Sequence, residues 1–264
     1  MNIGIVGLGV VGSANRAGFE HLGHTVFVHD IILETSIQDV KDTEIVFICV
    51  PTPSKDNGEC DTSIVESVLA ELSEISYRGI AAIRSTAVPG FTNQMIERFK
   101  NLTICFVPEL LRERCAVDDF INDQLLLAVG TYDDWVFKKV SAAHGHYPRE
   151  VVRLSPTEAE LMKYYNNVFA SLRVVFANIM YEVSEKLGCD YTKIKDAYIK
   201  TGKANDLYLD VSDRLRGYGG MCLPKDTQAL TQLIDQLGLN FDLIKAIDND
   251  NSKFPKTVFN KMRL

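Results

Sequence analysis

The stretch Gly217-Tyr218-Gly219-Gly220-Met221-Cys222-Leu223-Pro224-Lys225-Asp226 sets a thiol beside a cation and a carboxylate, behind three glycines in four positions. Glycine permits backbone geometry that side chains block, and a nearby cation favours thiolate, the nucleophilic form of cysteine. Cys222 is therefore a candidate nucleophile. The usual fate of a thiol outside a disulfide is core filler, and that is the reading for Cys49 and Cys105, which lie inside apolar runs. A second constellation, Gly7-Leu8-Gly9-Val10-Val11-Gly12, has the G-x-G-x-x-G spacing. Its first glycine makes a tight turn, its second lets backbone approach a pyrophosphate, and its third lets helix and strand pack closely. Asp30 follows at the end of the next apolar run, 18 residues after Gly12, where a carboxylate would accept ribose hydroxyls. Ile31, Ile32 and Leu33 come next, with no cation to meet a 2′-phosphate, so the cofactor is expected to be NAD. Lys163 and Asn167 complete the chemistry-bearing set. Residues i and i+4 share one helix face, so an ammonium and an amide can converge on one oxyanion. The plainer reading of that pair is a solvated polar stripe.

These residues need a frame. Asn2–Val6, Thr25–His29, Glu44–Val50, Gly79–Ser85, Leu102–Val107 and Gln124–Val129 read as buried strands, rich in Ile, Val and Phe and bounded by turn residues. Helical patterns at Val10–Leu22, Thr62–Ser76, Thr92–Lys100 and Asp133–Ala143 alternate with them. Such alternation predicts a Rossmann-like α/β fold, a doubly wound parallel sheet. Between Asp30 and Glu44 there is room for barely two helical turns. Ser155-Pro156-Thr157-Glu158 carries a capping Ser, a Pro at the first helical position and a Glu three residues after the cap. From there apolar residues recur in steps of three and four up to Leu187, which predicts one long helix closed by Gly188. Further helices are expected at Tyr191–Tyr198 and Thr227–Leu237. The expected organisation is a dinucleotide-binding domain over 1–154 and a central helical domain over 155–264 that carries the Cys222 loop.

Composition narrows the function. The chain has 264 residues, a formal net charge of −7 and 46% hydrophobic residues, so it is an ordinary globular protein and not a nonspecific nucleic-acid binder, which would need a basic face. Its six cysteines contain no Cys-x-x-Cys pair and no neighbouring histidines. No metal site is expected, and the pattern suits a reducing, cytoplasmic setting. The apolar start lacks a basic leader, and the Tyr164–Tyr181 run is interrupted by polar residues, so no targeting or membrane segment is expected.

The Cys222 loop resembles the Gly-Gly-x-Cys-x-Pro-Lys-Asp signature of the UDP-glucose/GDP-mannose dehydrogenase family, the nucleotide-sugar 6-dehydrogenases. Further segments are similar to that family in the same order along the chain: Val50-Pro51-Thr52-Pro53, Arg84-Ser85-Thr86 with Pro89-Gly90, Pro108-Glu109-Leu110-Leu111-Arg112-Glu113, and Glu160-Leu161-Met162-Lys163 with Asn167. What the resemblance implies is a four-electron oxidation of a sugar C6 alcohol to a carboxylate, with two NAD. Under it, Cys222 traps the aldehyde as a thiohemiacetal that becomes a thioester, and Lys163 and Asn167 stabilise the oxyanion. Glu113 is the base for thioester hydrolysis, Asp226 and Thr86 position water, and Glu109 lies near the substrate. Gly7, Gly9, Val10, Val11, Gly12, Asp30, Val50, Pro51, Thr52, Ser85, Thr86, Glu113 and Lys225 would hold the cofactor. Glu109, Leu110, Leu111, Arg112, Lys163, Asn167, Tyr218, Gly219 and Cys222 would hold the substrate, UDP-glucose or GDP-mannose. The resemblance also implies a homodimer built on the long helix.

Departures from the family pattern are few. Ile179 stands where Glu is common and Met221 replaces a small residue. Leu223 leans towards GDP-mannose enzymes and Thr227 towards UDP-glucose enzymes, while Lys225 separates the chain from the UDP-N-acetyl-hexosamine branch. The 38 residues after Asp226 are too few for the family's third, nucleotide-sugar-binding domain. A chain without it is expected to bind sugar nucleotide weakly. Two rival readings remain: a two-domain β-hydroxyacid dehydrogenase, which does not need Cys222, and a non-catalytic NAD-binding remnant.

Overall fold

The central runs Ile45–Ile48 and Ile80–Ile83 are apolar and buried at every residue, so these strands must be covered on both sides. The computed structural model, which describes residues 1–255, covers them that way. Strands β1 (Asn2–Val6), β2 (Thr25–His29), β3 (Ile45–Ile48), β4 (Ile80–Ile83), β5 (Thr103–Phe106), β6 (Leu126–Gly130) and β7 (Glu150–Leu154) form one sheet in the order β2-β1-β3-β4-β5-β6-β7. Helices α1 (Val10–His21), α2 (Ser63–Glu74), α3 (Phe91–Arg98), α4 (Ala116–Ile121) and α5 (Asp134–His144) connect them. Two apolar clusters result. One contains Val46, Ile48, Leu69 and Phe106, and the other contains Ile5, Phe19, Phe47 and Val129, from alternate residues of the same strands.

The fold is Rossmann-like, with two departures from the expected sheet. β6 runs antiparallel to β5 through a single pair, Phe106 with Gly130, so the sheet is mostly and not wholly parallel. β7, paired in parallel with β6, is a strand that the periodicity did not suggest. Its burial is slight, so Glu150–Leu154 lacks the apolar run that marked the others. The short link after β2 holds only a 3₁₀ turn at Ile37–Val40, which leads β3 to the far side of β1. The strand order therefore reverses at β1 and β3, where open α/β sheets bind ligands beyond the strands' carboxyl ends.

Helix α6 runs from Pro156 to Leu187, 32 residues. Its capping box forms: Ser155 N–H donates to Glu158 Oε2 at 2.7 Å and Glu158 N–H donates to Ser155 Oγ at 3.3 Å. Gly188, at φ +66°, ends it. The chain divides into two compact units inside this helix, after Lys163, and Asp56–Glu59 groups with the second unit. That unit contains the rest of α6 with α7 (Tyr191–Ile199), α8 (Leu223–Gln236) and α9 (Leu243–Asn251). Val168 and Val175 of α6 pack with Tyr218 and Ile247, and Ala177 packs with Tyr191, Leu209 and Val211. α8 begins four residues before the expected Thr227, because Pro224 sits in its first turn, where a missing N–H costs nothing. Among the described residues no helix is long and apolar enough to cross a membrane.

Candidate active site

The carboxyl ends of β1 to β5 carry most of the first unit's candidate site residues. At Gly7 the chain turns with φ +93°. A Cβ on Gly12 would lie 1.9 Å from the Gly7 carbonyl oxygen, whereas one on Gly9 would meet nothing within 4 Å. The third glycine is thus a packing requirement, and the second leaves open space above the amino end of α1, which no side chain caps. Val10 and Val11 form the helix's first turn, with N–H groups available to an anion. Asp30 accepts Leu8 N–H at 2.6 Å and Ile32 N–H at 3.0 Å, which hold its carboxyl below the usual range. A part-exposed carboxylate, an uncapped helix end and a glycine cradle fit a dinucleotide. Next along the edge, Val50, Pro51 and the buried Thr52 follow β3, and Ser85 Oγ–H donates to the Val50 carbonyl at 2.7 Å. Thr86, half-buried, follows Ser85.

Beyond β5, Glu109 is turned inward and is 6% exposed. Its Oε1 accepts Leu110 and Leu111 N–H at 2.9 and 3.2 Å, and its Oε2 accepts Asn15 Nδ2 and Arg84 Nη1, both at 3.2 Å. Both oxygens are occupied by this chain, so the side chain shapes the turn. Leu111 packs against the second apolar cluster. Arg112 pairs with Asp119 through several hydrogen bonds, one of them Arg112 N–H to Asp119 Oδ2 at 2.8 Å. Glu113 is exposed in a 3₁₀ turn. Lys163, 7% exposed, donates to the backbone carbonyl of Glu109. An ammonium has three protons, so this bond fixes Lys163 and leaves two donors.

In the second unit, Cys222 is exposed, outside any disulfide, and occupies the N-cap of α8. The helix's partial positive end favours negative charge there. Asp226, one turn later, is fully buried; its Oδ2 accepts Asn167 Nδ2 at 2.6 Å, and Lys225 Nζ lies 2.8 Å from Oδ1. The structure thus joins Asn167, Lys225 and Asp226, and leaves Asn167 one further N–H. Tyr218 is buried and its hydroxyl donates to Asp248 at 3.1 Å, while Gly219 is half-buried. His144 and Asn15, which hold Arg84 and Glu109, escaped sequence reading. Nothing local marks them, since they lie 60 and 94 residues from their partners.

A dinucleotide cradle on a reversing α/β sheet, followed by a helical unit that presents a thiol, defines an NAD-linked two-part dehydrogenase. Two family models match in order, the NAD binding domain over residues 32–142 and the central domain over 157–253 of the UDP-glucose/GDP-mannose dehydrogenase family. The chain belongs to that family, and its cofactor is NAD. It is 27% identical over 303 residues to the UDP-glucose 6-dehydrogenase of Rickettsia bellii, covering 99% of this chain and 69% of that protein. It is 29% identical over 234 residues to the GDP-mannose 6-dehydrogenase of Pseudomonas aeruginosa, covering 83% and 53%. The structure of a UDP-glucose dehydrogenase from Pyrobaculum islandicum superposes with a TM-score of 0.87 at 25% identity, covering 96% of this chain and 68% of that one. Among the first curated relatives the chain spans between 51% and 72% of their length.

Proposed function

We propose that this chain oxidises the C6 alcohol of a nucleotide sugar, UDP-glucose foremost, to the uronate. The observation that carries the proposal is the exposed thiol at the N-cap of α8, one turn before a buried Asp226 that grips Asn167. NAD held at the Gly7–Gly12 turn and Asp30 would supply the hydride acceptor for each of two oxidations, with a second NAD replacing NADH between them. The first removes a hydride from C6, with the hydroxyl proton passing to water, and leaves an aldehyde. The Cys222 thiolate then adds to its carbon, forming a C–S bond and an oxyanion. Lys163 and Asn167 stabilise that oxygen with the donors left over from their structural bonds, a service commonly worth about 2.7–4 kcal/mol per donor. Loss of a second hydride from the same carbon leaves a thioester on Cys222. Glu113 takes a proton from water as the water attacks, the C–S bond breaks, and the thiolate returns while the acid leaves. Asp226 and Thr86 orient that water. Asp30 holds the ribose of the cofactor, and the backbone of Gly7–Gly12 takes the pyrophosphate. With its carboxylate already bonded, Glu109 acts by shaping Leu110–Arg112, and Tyr218 and Gly219 border the sugar. Six cysteines outside disulfides suit a cytoplasmic setting.

The test is a screen of UDP-glucose and GDP-mannose for NADH formation. Two NADH per sugar are expected, and Cys222→Ser should end acid formation while sparing NAD binding. A Cys222→Ser protein that still yields two NADH per sugar would overturn the assignment of the nucleophile. One NADH per substrate would favour a hydroxyacid-type oxidation.

A further inference from the structure

The chain enters α8 through an irregular loop, and two buried amides that the chemistry above does not use hold its main chain. Asn178 of α6 is 1% exposed, and its Oδ1 accepts Gly217 N–H at 3.2 Å and Arg216 Nε–H at 2.8 Å. Asn251, the last residue of α9, is 2% exposed. Its Oδ1 accepts Tyr218 N–H at 2.8 Å, and its Nδ2 donates to the Tyr218 carbonyl at 3.0 Å. That reciprocal pair is what a neighbouring strand would supply, here made by one side chain. Gly217 at φ +62° and Gly220 at φ +78° flank Tyr218 in left-handed geometry, so the loop's course has few alternatives. On the far side of the thiol, Thr227 Oγ1–H donates to Ser171 Oγ of α6 at 3.0 Å. Cys222 therefore rides on a segment pinned before and after it.

We infer that Asn178 and Asn251 are positioning residues for Cys222. The inference rests on the reading of Cys222 as nucleophile and adds what sets the thiol's place. Truncating Asn251 leaves a buried N–H and C=O of Tyr218 without partners, and the loop must shift to reach water. A displacement of about 1 Å at a reacting atom can cost on the order of 100-fold in rate. The two oxidations should respond differently. Aldehyde formation needs no thiol, whereas the second oxidation needs the C–S bond. A loosened loop should therefore release aldehyde that the unmodified protein captures.

The full chain is compared with Asn251→Ala, Asn178→Ala, Asn251→Ser, which keeps one of the two bonds, and Asp248→Asn, which alters the contact to the Tyr218 hydroxyl but leaves the main-chain grip. The first readout is the rate at which iodoacetamide labels Cys222, relative to the exposed Cys189 as internal reference, by peptide mass spectrometry. The second is kcat for acid, with aldehyde trapped by a hydrazine. Asn251→Ala and Asn178→Ala should each change the Cys222-to-Cys189 labelling ratio at least fivefold, lower kcat for acid tenfold or more and yield trapped aldehyde, with KM for NAD unchanged. Asn251→Ser should fall between, and it carries the test if Asn251→Ala does not fold. Asp248→Asn should stay within twofold throughout. Labelling ratios within twofold of the unmodified protein in folded Asn251→Ala or Asn251→Ser would overturn the inference, as would equal losses in Asp248→Asn. Should Cys222→Ser itself retain activity, the nucleophile assignment falls, and the labelling ratio still reports whether the amides place the thiol.

Discussion

A carboxylate that accepts two backbone N–H groups is held ionised, and Asp30 accepts those of Leu8 and Ile32. Its carboxyl lies below the ordinary range, chiefly through the Leu8 bond. One residue thereby fastens the glycine turn and keeps a negative charge where a 2′-phosphate would arrive. Two like charges about 4 Å apart repel by roughly 1 kcal/mol in water and about 4 kcal/mol at intermediate dielectric. Asp30 is part-exposed, so the lower part of that range applies, and NADP should bind about tenfold more weakly than NAD. Asp30→Ala should narrow the gap, in titrations of both cofactors by calorimetry. Equal affinity of the unmodified protein for the two would show that Asp30 does not select. Gly7, Gly9, Gly12 and Asp30 were legible in the sequence because their demands are local: a turn, a close approach, a helix packed on its strand. The resemblance put Glu109 near the substrate, but its inward direction could not be read from the sequence. That direction depends on Arg84 and Asn15, brought in from 25 and 94 residues away.

The elements behind that carboxylate form a buried relay. His144, at the end of α5, has Nδ1 2.9 Å from the Val140 carbonyl and Nε2 3.0 Å from Arg84 Nη2. Arginine only donates, so Nε2 is the acceptor and Nδ1 bears the proton. Arg84, between the Phe47 and Phe120 rings, passes the constraint to Glu109, whose backbone carbonyl holds Lys163. Burial, reinforced by the Arg84 charge, pushes the His144 pKa down to about 3. An unfolded histidine titrates near 6.5, so between those values the unfolded chain binds a proton that the folded chain refuses. The stabilisation is complete above pH 6.5 and is lost as pH falls towards 3, by up to about 1.4 kcal/mol per pH unit. His144→Gln, which keeps a donor and an acceptor, should flatten that slope. Urea unfolding of both proteins at pH 7.0, 6.0 and 5.0 measures it, and identical slopes would mean that His144 is not the responsible group. Strands β1 to β5 and helix α6 could be read from apolar period and caps alone. The antiparallel turn of β6, the exposed β7 and the early start of α8 could not, because each is decided by a partner or a proline and not by periodicity.

For the molecule as a whole, α6 poses the question of what covers its second face. Period alone predicted apolar residues on more than one side, and the structure assigns them: Val168 and Val175 are buried in the second unit. Tyr165, Phe169, Phe176, Ile179, Val183 and Leu187 are exposed, at 72%, 48%, 57%, 39%, 44% and 72%. Steps of three, four and seven keep these six on one stripe along the helix. A contiguous exposed apolar patch of this kind marks an interaction surface, and we propose that a second copy of the chain covers it. A twofold axis across the helix would set the stripe against itself, and symmetric dimers are the commonest assembly. Burying one such side chain fully is worth roughly 1.5–3 kcal/mol, so twelve partly exposed residues across two copies can offset an association cost of about 4–15 kcal/mol. Phe176 sits near the middle of the stripe. Phe176→Glu would place an unpaired carboxylate in a dry seam on each side, at a cost of several kcal/mol, and would weaken the dimer more than 100-fold. The substitution lies on the solvent face of the single chain, so helicity and NAD binding should persist. Light scattering at micromolar concentration should give a dimer for the unmodified protein and a monomer for Phe176→Glu. A monomeric unmodified protein would refute the assembly, and a Phe176→Glu variant that remains dimeric would move the interface to another surface.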